Sequence, residues 1–296
     1  MDVEQLEDSL TSQVVDSFAQ TADPRLRSIL QSLTTHLHAF IQEISPSIEE
    51  WEAAIDFLTR TGKTCTDTRQ EFILLSDVLG VSMLVEEIND AETPEATDST
   101  VLGPFHMVDS PTRDCGDNIS PESVGTACVV AGQVLSTTGD PIAGAKVDIW
   151  QADDNGFYDV QPESGQSIGN GRALLTTDTD GAFWFRSIVP SFYPIPTDGP
   201  VGELLRASSR HPNRPAHIHF QVSAPGYKEL TTHIFVAEDP WLSSDAVFAV
   251  KPSLVRRFVD DHDERQASEL GLPVPFRRAH IDLVLNPDPE SETSIP

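Results

Sequence analysis

Two histidines one residue apart, His217 and His219 in the run RPAHIHFQVSAPG (214–226), are the side chains best placed to do chemistry. The run reads as a strand, in which positions i and i+2 point to the same face. Two imidazoles on one face can grip a single ion, and imidazole serves zinc, copper and iron alike. The pattern alone leaves the metal open. It also admits a plainer reading, two histidines tolerated on an exposed strand face.

The tyrosines narrow the choice. The chain has 3, and two of them, Tyr158 in DDNGFYDV and Tyr193 in VPSFYPIPTDGP, stand beside turn-forming residues. Each alone reads as a packed aromatic with a hydrogen-bonded hydroxyl. Deprotonated, however, a phenol is a hard anionic oxygen ligand, which suits Fe(III) better than zinc or copper(I). Two neutral imidazoles and two phenolates would leave Fe(III) with one net positive charge and an open position. Such a site can take a dianionic, bidentate oxygen ligand such as a catecholate.

With their flanking segments, RPAHIHFQVSAPGYKELTTHIF (214–235), VDIWQADDNGFYD (147–159) and IVPSFYPIPTDGP (188–200), these residues resemble the intradiol ring-cleavage dioxygenases, a family that uses non-haem Fe(III). The resemblance implies Tyr158, Tyr193, His217 and His219 as the iron ligands. EFILLSDVLGVSMLVEEIN (71–89), STVLGPFHM (99–107) and TTHIF (231–235) are similar to the hydroxyquinol 1,2-dioxygenase branch, and His233 stands where catechol dioxygenases usually carry glutamine. The implied reaction is cleavage of hydroxyquinol (1,2,4-trihydroxybenzene) between its vicinal hydroxyls by O2, giving 3-hydroxy-cis,cis-muconate or maleylacetate. Catechol or chlorocatechol 1,2-cleavage is the alternative within the family. A non-catalytic β-sandwich protein holding zinc or copper is the alternative outside it.

The resemblance also distributes roles. Tyr193 is the ligand expected to leave the metal and take a substrate proton. Arg214 is expected to stabilise negative charge on the ring, provided that a bend at Pro215 turns it inward; its plainer reading is a structural ion pair. Leu74, Val101, Gly103, Pro104 and Phe105 are expected to shape the ring pocket, with Ile195 and Pro196 opposite. Asp77, one helical turn after Leu74, is expected to accept a hydrogen bond from the third hydroxyl; its plainer reading is a solvated aspartate on a helix face. His233 is expected on the neighbouring strand, near the iron as a hydrogen-bonding group, and is counted with the pocket residues. His106 adjoins the pocket segment without a role.

The elements that must position these residues fall into two halves: a mainly β chain with an all-α N-terminal part. Residues 1–95 read as helical and are expected to mediate dimerisation. In ADPRLRSILQSLTTHLHAFIQEI, Leu26, Ile29, Leu30, Leu33, Leu37, Phe40, Ile41 and Ile44 form one stripe, with Pro24 at a first turn. Ser47 and Glu50 make a capping box, and Gly62 is expected to stop that helix. The next run is expected to put Phe72, Leu75, Leu79, Met83 and Ile88 on one face, with Leu74 and Asp77 on the surface nearby. Residues 96–286 read as a β-sandwich carrying the Fe(III) site, built from TACVVAGQVL, AKVDIWQAD, GAFWFRSIV, AHIHFQVSA, LTTHIFVAE and RAHIDLVLN, with turns at STTGDP and DTDG. The Pro- and Thr-rich connector before residue 112 is expected to be extended, and residues 287–296 to form a flexible tail.

Composition bounds the partners. A net charge of −28 repels phosphate backbones and anionic lipid heads, so nucleic acid is excluded as a partner and a neutral small molecule is favoured. No apolar run reaches membrane-spanning length. The acidic opening segment lacks a signal-peptide pattern, and 3 scattered cysteines suit a reducing compartment, so a cytoplasmic location is expected. The apolar helical stripes exceed what one helix pair can hide, and the family pairs such helices about a two-fold axis. A homodimer is therefore expected. The family also implies a possible phospholipid held at that interface.

Overall fold

The computed structural model describes residues 3–66, 69–90, 93–106, 109–161 and 164–288. By packing the chain divides into two compact units, one ending at Arg60 and one beginning at Thr61. The break precedes residue 95 because the two helices after it belong to the second unit, where the first of them packs against the helix at 200–207.

The first unit holds α1 (Val3–Ser17), α2 (Pro24–Ile44) and most of α3 (Ile48–Thr64). Asp23 caps α2 by accepting hydrogen bonds from the Arg25 and Leu26 amides, with Pro24 in the first turn. The Ser47–Glu50 box forms as predicted, each side chain bonding the other residue's amide. Thr11 Oγ1 meets His38 Nδ1 at 3.0 Å, tying α1 to α2. Leu26, Ile29, Leu33, Leu37, Phe40 and Ile44 form an apolar stripe along α2 that is exposed in the single chain.

The helix α3 does not stop at Gly62 but runs to Thr64, because the glycine serves a different end. A Cβ there would sit 3.3 Å from the ring of Phe72. The following run is two short helices, α4 (Glu71–Val78) and α5 (Val81–Asp90), broken at Gly80, whose φ of 71° ends the first. The break turns the buried side of α4 to Leu74, Leu75, Asp77 and Val78, leaving Phe72, Leu79 and Ile88 exposed. Leu74 and Asp77, expected on the surface, are therefore buried.

Two five-stranded sheets form the sandwich. In the first, β1 (Ala127–Ser136) is central. Along one edge lies antiparallel β4 (Ala182–Ile188); the other edge is shared by β11 (Phe276–His280) and β12 (Leu283–Leu285), both parallel to β1, and β10 (Val259–Asp261) pairs beyond β11. The second sheet has the order β3 (Arg172–Thr176), β2 (Lys146–Gln151), β7 (His217–Ser223), β8 (Leu230–Val236) and β9 (Val255–Arg256). A ribbon of β5 (Tyr193–Pro194) and β6 (Asn213–Arg214) encloses α6 (Pro200–Ala207), and α7 (Glu264–Leu270) joins β10 to β11. The facing sides supply Val130, Phe183 and Phe185 from one sheet, and Val147, Ile149, Ile218, Phe220, Val222 and Ile234 from the other.

The run RAHIDLVLN, expected as one strand, is split between β11 and β12. The Ile281 amide still bonds the Ala131 carbonyl, and Asp282 accepts from the Gln133 amide. Gly132 permits the handover, since a Cβ there would lie 1.7 Å from the Ile281 carbonyl oxygen. Among its described residues the connector, expected to be extended, turns at 94–95 and 104–105 and is fastened: the Thr97 amide bonds the Val284 carbonyl and the Thr100 amide the Thr231 carbonyl. Of the expected tail, Pro287 and Asp288 are held against Tyr227 and Gly226, and residues 289–296 lie outside the described residues. Among the described residues no helix is long and apolar enough to cross a membrane.

The close approach at Gly132 has a measurable cost. Gly132→Ala is expected to lose about 1–3 kcal/mol or more by overpacking, whereas Gly139→Ala, where nothing lies within 4 Å of the new methyl and only the φ of 84° resists it, is expected to lose about 1–2 kcal/mol. Chemical denaturation of the two variants checks the order.

Candidate metal centre

The site begins with strand alternation. In β7 Ile218, Phe220 and Val222 enter the sandwich core, so His217 and His219 share the opposite face. Register then places Trp150 of β2 and His233 of β8 directly beside His219. Trp150 stacks on the His219 ring at 4.6 Å and 13°. This face is covered by the loops that carry the tyrosines, so both histidines are only 1% exposed.

Tyr158 follows β2 through a turn in which Asp153 Oδ1 accepts from the Asn155 and Phe157 amides. Gly156, at φ 83°, lets this turn close on the other tyrosine segment; a Cβ there would be 2.7 Å from the Phe192 carbonyl oxygen. Tyr193 is held in β5 opposite Arg214 of β6. The two phenol rings meet edge to face at 5.3 Å. Tyr158 and Tyr193 are both buried.

Polar atoms converge at one point. Tyr158 Oη lies 3.0 Å from His219 Nε2 and 3.4 Å from His217 Nε2, and the two Nε2 atoms are 3.0 Å apart. Bonds of roughly 2.0–2.2 Å from nitrogen or oxygen to one ion, at angles between square and tetrahedral, require edges of about 2.8–3.6 Å. The observed triangle fits. The tautomer agrees: His217 Nδ1 is 2.7 Å from the Pro215 carbonyl, which can only accept, so Nε2 presents a bare lone pair. His233 also offers a nitrogen within 4.8 Å of the other two histidines. Both its nitrogens are engaged, however: Nε2 meets His219 Nδ1 at 2.6 Å and Nδ1 meets Thr100 Oγ1 at 2.9 Å. It braces His219 and lines no part of the cavity described below, although it is counted with the pocket residues from sequence.

Burial, reinforced by Arg214, holds all three imidazoles well below the usual histidine range, so they are neutral near pH 7. Burial pushes the Tyr158 phenol well above its usual range; Tyr193 adds to this, while Arg214 and Arg172 oppose it. The protein's own cations thus fall short of ionising Tyr158, and a bound metal cation would supply what is missing. Burial alone would depress the Arg214 guanidinium, but Asp245, Tyr193 and Tyr158 hold it charged. The chain does bend at Pro215: β6 ends at Arg214, whose Nη1 reaches Tyr193 Oη at 3.5 Å and His217 Nε2 at 3.3 Å. Its Nε meets Asp245 at 3.3 Å.

A cavity of about 690 Å³ opens beside this cluster, lined by Leu74, Asp77, Val101, Gly103, Pro104, Phe105 and Pro196. A narrow inner recess shares most of these walls and adds Tyr193, Ile195 and Arg214. Two buried polar atoms in it, Asp77 Oδ1 and Arg214 Nη2, have no hydrogen-bond partner among the described residues. Burial raises the Asp77 carboxyl above the ordinary range, against the pull of Ser82 and Arg214.

The comparisons match this architecture. A family model described as Dioxygenase matches residues 103–287, and one described as Catechol dioxygenase N terminus matches residues 23–97. The chain belongs to the intradiol ring-cleavage dioxygenases. It is 49% identical over 266 residues to hydroxyquinol 1,2-dioxygenase of a Rhizobium species, covering 90% of each chain. Among solved structures it is similar to hydroxyquinol 1,2-dioxygenase from Pseudomonas putida, with TM-score 0.89 and 46% identity over 96% of this chain and 100% of that one. It is also similar to catechol 1,2 dioxygenase from Acinetobacter radioresistens, with TM-score 0.83 and 29% identity over 98% of this chain and 95% of that one.

Several residues that build this dioxygenase's centre escape sequence reading. Arg172, fully buried, bonds Asp159 at 2.7 Å beside Tyr158 and the Phe105 carbonyl at 2.7 Å. Nothing local distinguishes it from a surface arginine. Asp245 and Thr100 are equally silent in sequence. Trp150, which reads as sandwich core, could have been found by alternation, since it shares its strand face with Asp148 rather than with core residues Val147 and Ile149.

The neutral histidines predict an acid limit for the metal-free protein. Their folded pKa values lie below the unfolded value of about 6.5, so unfolding takes up protons below that pH. The stability they contribute is complete above about pH 6.5 and is lost as the pH falls, by about 1.4 kcal/mol per pH unit for each histidine. Thermal unfolding of the metal-free protein, followed from roughly pH 7.5 down to about pH 5 to span the histidine range, is expected to show a melting temperature falling below that point.

Proposed function

We propose that this chain is an Fe(III)-dependent hydroxyquinol 1,2-dioxygenase, with Tyr158, Tyr193, His217 and His219 as the metal ligands. The reading rests on the convergence of Tyr158 Oη and two histidine Nε2 atoms at 3.0–3.4 Å, with Tyr193 against them in the same buried site. This donor set, two imidazoles and two phenols, matches a hard trivalent ion better than zinc. When bound, Fe(III) would supply Lewis acidity toward two adjacent hydroxyl oxygens and draw electron density from the ring, opening it to O2. Overall, the bond between the two hydroxylated carbons breaks, each of those carbons becomes a carboxyl carbon, and both atoms of O2 enter the diacid, with no other oxidant or reductant required.

The chain's own residues do the rest. Tyr193 holds its oxygen beside Arg214 and is the group that takes a proton from the arriving diol. Arg214, braced by Asp245, turns its unpartnered Nη2 toward negative charge that develops on the ring. Leu74, Val101, Gly103, Pro104, Phe105, Ile195 and Pro196 confine the ring and exclude water. Asp77 Oδ1, buried and unpartnered in that wall, accepts a hydrogen bond from the third hydroxyl. A catechol lacks this group and would leave the carboxylate unpaired, which favours the triol. His233 acts from behind His219 rather than on substrate. The named hydroxyquinol relatives, at 49% and 46% identity against 29% for the catechol enzyme, support the same choice. The exposed stripe on α2 supports a homodimer through the N-terminal helices, with a phospholipid as an occupant there, and the three free cysteines support a cytoplasmic enzyme.

Oxygen uptake with a panel of diols, with ultraviolet identification of the product, tests the reading; fastest turnover of 1,2,4-trihydroxybenzene is expected, and no uptake with any diol by iron-loaded protein would end it. Iron-loaded protein is expected to be red-brown from tyrosinate charge transfer. Tyr193→Phe should change that spectrum and lower kcat by about 10²–10⁴-fold. Asp77→Ala should lower kcat/KM for the triol by about tenfold to a hundredfold while sparing catechol. Light scattering is expected to give the mass of a dimer.

A further inference from the structure

The segment from Thr100 to His106 forms one wall of the substrate cavity, yet both of its ends are fastened to the side chains of the metal centre. At one end the Thr100 amide bonds the Thr231 carbonyl on β8, and the Thr100 hydroxyl meets His233 Nδ1 at 2.9 Å. His233 Nε2 in turn meets His219 Nδ1 at 2.6 Å. At the other end the Phe105 carbonyl accepts from Arg172, which also holds Asp159 next to Tyr158. The Phe105 ring stacks on Tyr158 at 4.5 Å and 21°. His106 bonds Asp148 at 3.1 Å and lies against Trp150 at 4.5 Å, whose other neighbour is the His219 ring.

The relay at the Thr100 end has only two proton orders. If His219 Nε2 is to offer a lone pair to a metal, His219 Nδ1 must carry the proton and donate it to His233 Nε2. His233 must then donate from Nδ1, and Thr100 Oγ1 must accept. In the reverse order Thr100 donates, and His219 presents N–H to the centre. A hydroxyl can serve either order; a methyl in its place serves neither and leaves His233 Nδ1 buried without a partner. Thr100 is 1% exposed, so water does not replace it without rearrangement.

Resting on the metal site proposed above, we infer that Thr100 is a positioning residue for both halves of the site: through His233 it sets the tautomer and orientation of His219, and through the backbone it fixes the cavity wall that begins at Val101. Metal retention and substrate fit are then coupled at one residue: its hydroxyl serves His233, and that same bond helps to keep its amide seated on the Thr231 carbonyl. A partner of this kind behind a ligating histidine is worth about 10–100-fold in metal affinity or activity.

The test compares wild type, Thr100→Val, Thr100→Ala and Thr100→Ser, all iron-loaded. Metal release to a ferric chelator is followed by loss of the visible band, and the dissociation constant of 1,2,4-trihydroxybenzene is measured without oxygen. Thr100→Val is expected to release iron about tenfold faster or more and to bind the triol more weakly. Thr100→Ser should restore both, and Thr100→Ala, where a water can enter the vacated space, should fall between. Circular dichroism and the melting temperature of the metal-free variants establish folding; should the valine variant misfold, alanine against serine carries the comparison. Wild-type values for the folded valine or alanine variant would overturn the inference while leaving the metal site standing, as would faster iron release with unchanged triol binding. A wild-type protein that takes up no iron and shows no band would overturn the proposed function and this inference together.

Discussion

Two imidazole Nε2 atoms held face to face at 3.0 Å, out of reach of water, are the constraint around which this site is organised. Like poles at that distance repel unless something positive or a proton lies between them. The fold does not relax the pair. The Pro215 carbonyl fixes one ring and His233 the other, and Trp150 lies flat against the second. Strand alternation puts both rings on one face, and the covering loops deny them solvent. The enclosing elements turn what would be an unfavourable arrangement into an affinity for a cation.

Charge balance follows from the same enclosure. The buried Tyr158 phenol resists ionisation, and the buried guanidiniums of Arg214 and Arg172 draw it part of the way. Each guanidinium is itself anchored by a carboxylate, Asp159 for Arg172 and Asp245 for Arg214. In a chain of net charge −28 these two buried cations stand out, Arg214 in the inner recess and Arg172 behind Tyr158 and Phe105.

What could be read beforehand divides along the range of the signal. The paired histidines on β7, the loop tyrosines, the capping box at Ser47 and most sandwich strands follow from spacing and turn residues, which act over a few positions. The pocket residues came from resemblance rather than from periodicity. Indeed, helical periodicity misplaced Leu74 and Asp77 on the surface, because the kink at Gly80 redirects α4 and only tertiary packing decides which side is covered. Arg172, Asp245 and Thr100 gain their meaning from partners tens of residues away, as with Thr100 and His233. The short strands β5 and β6 are likewise defined by each other, and α6 and α7 are too brief to show a stripe.

The cavity wall is tied down largely by main-chain atoms, the Thr100 amide on one side and the Phe105 carbonyl on the other. Such ties are indifferent to what grows from the intervening α-carbons. Exchanges at Val101 or Pro104 can therefore resculpt the ring's berth without loosening its hinges. A scaffold built this way can drift from one aromatic diet to another in single steps, each intermediate keeping both fastenings of the wall.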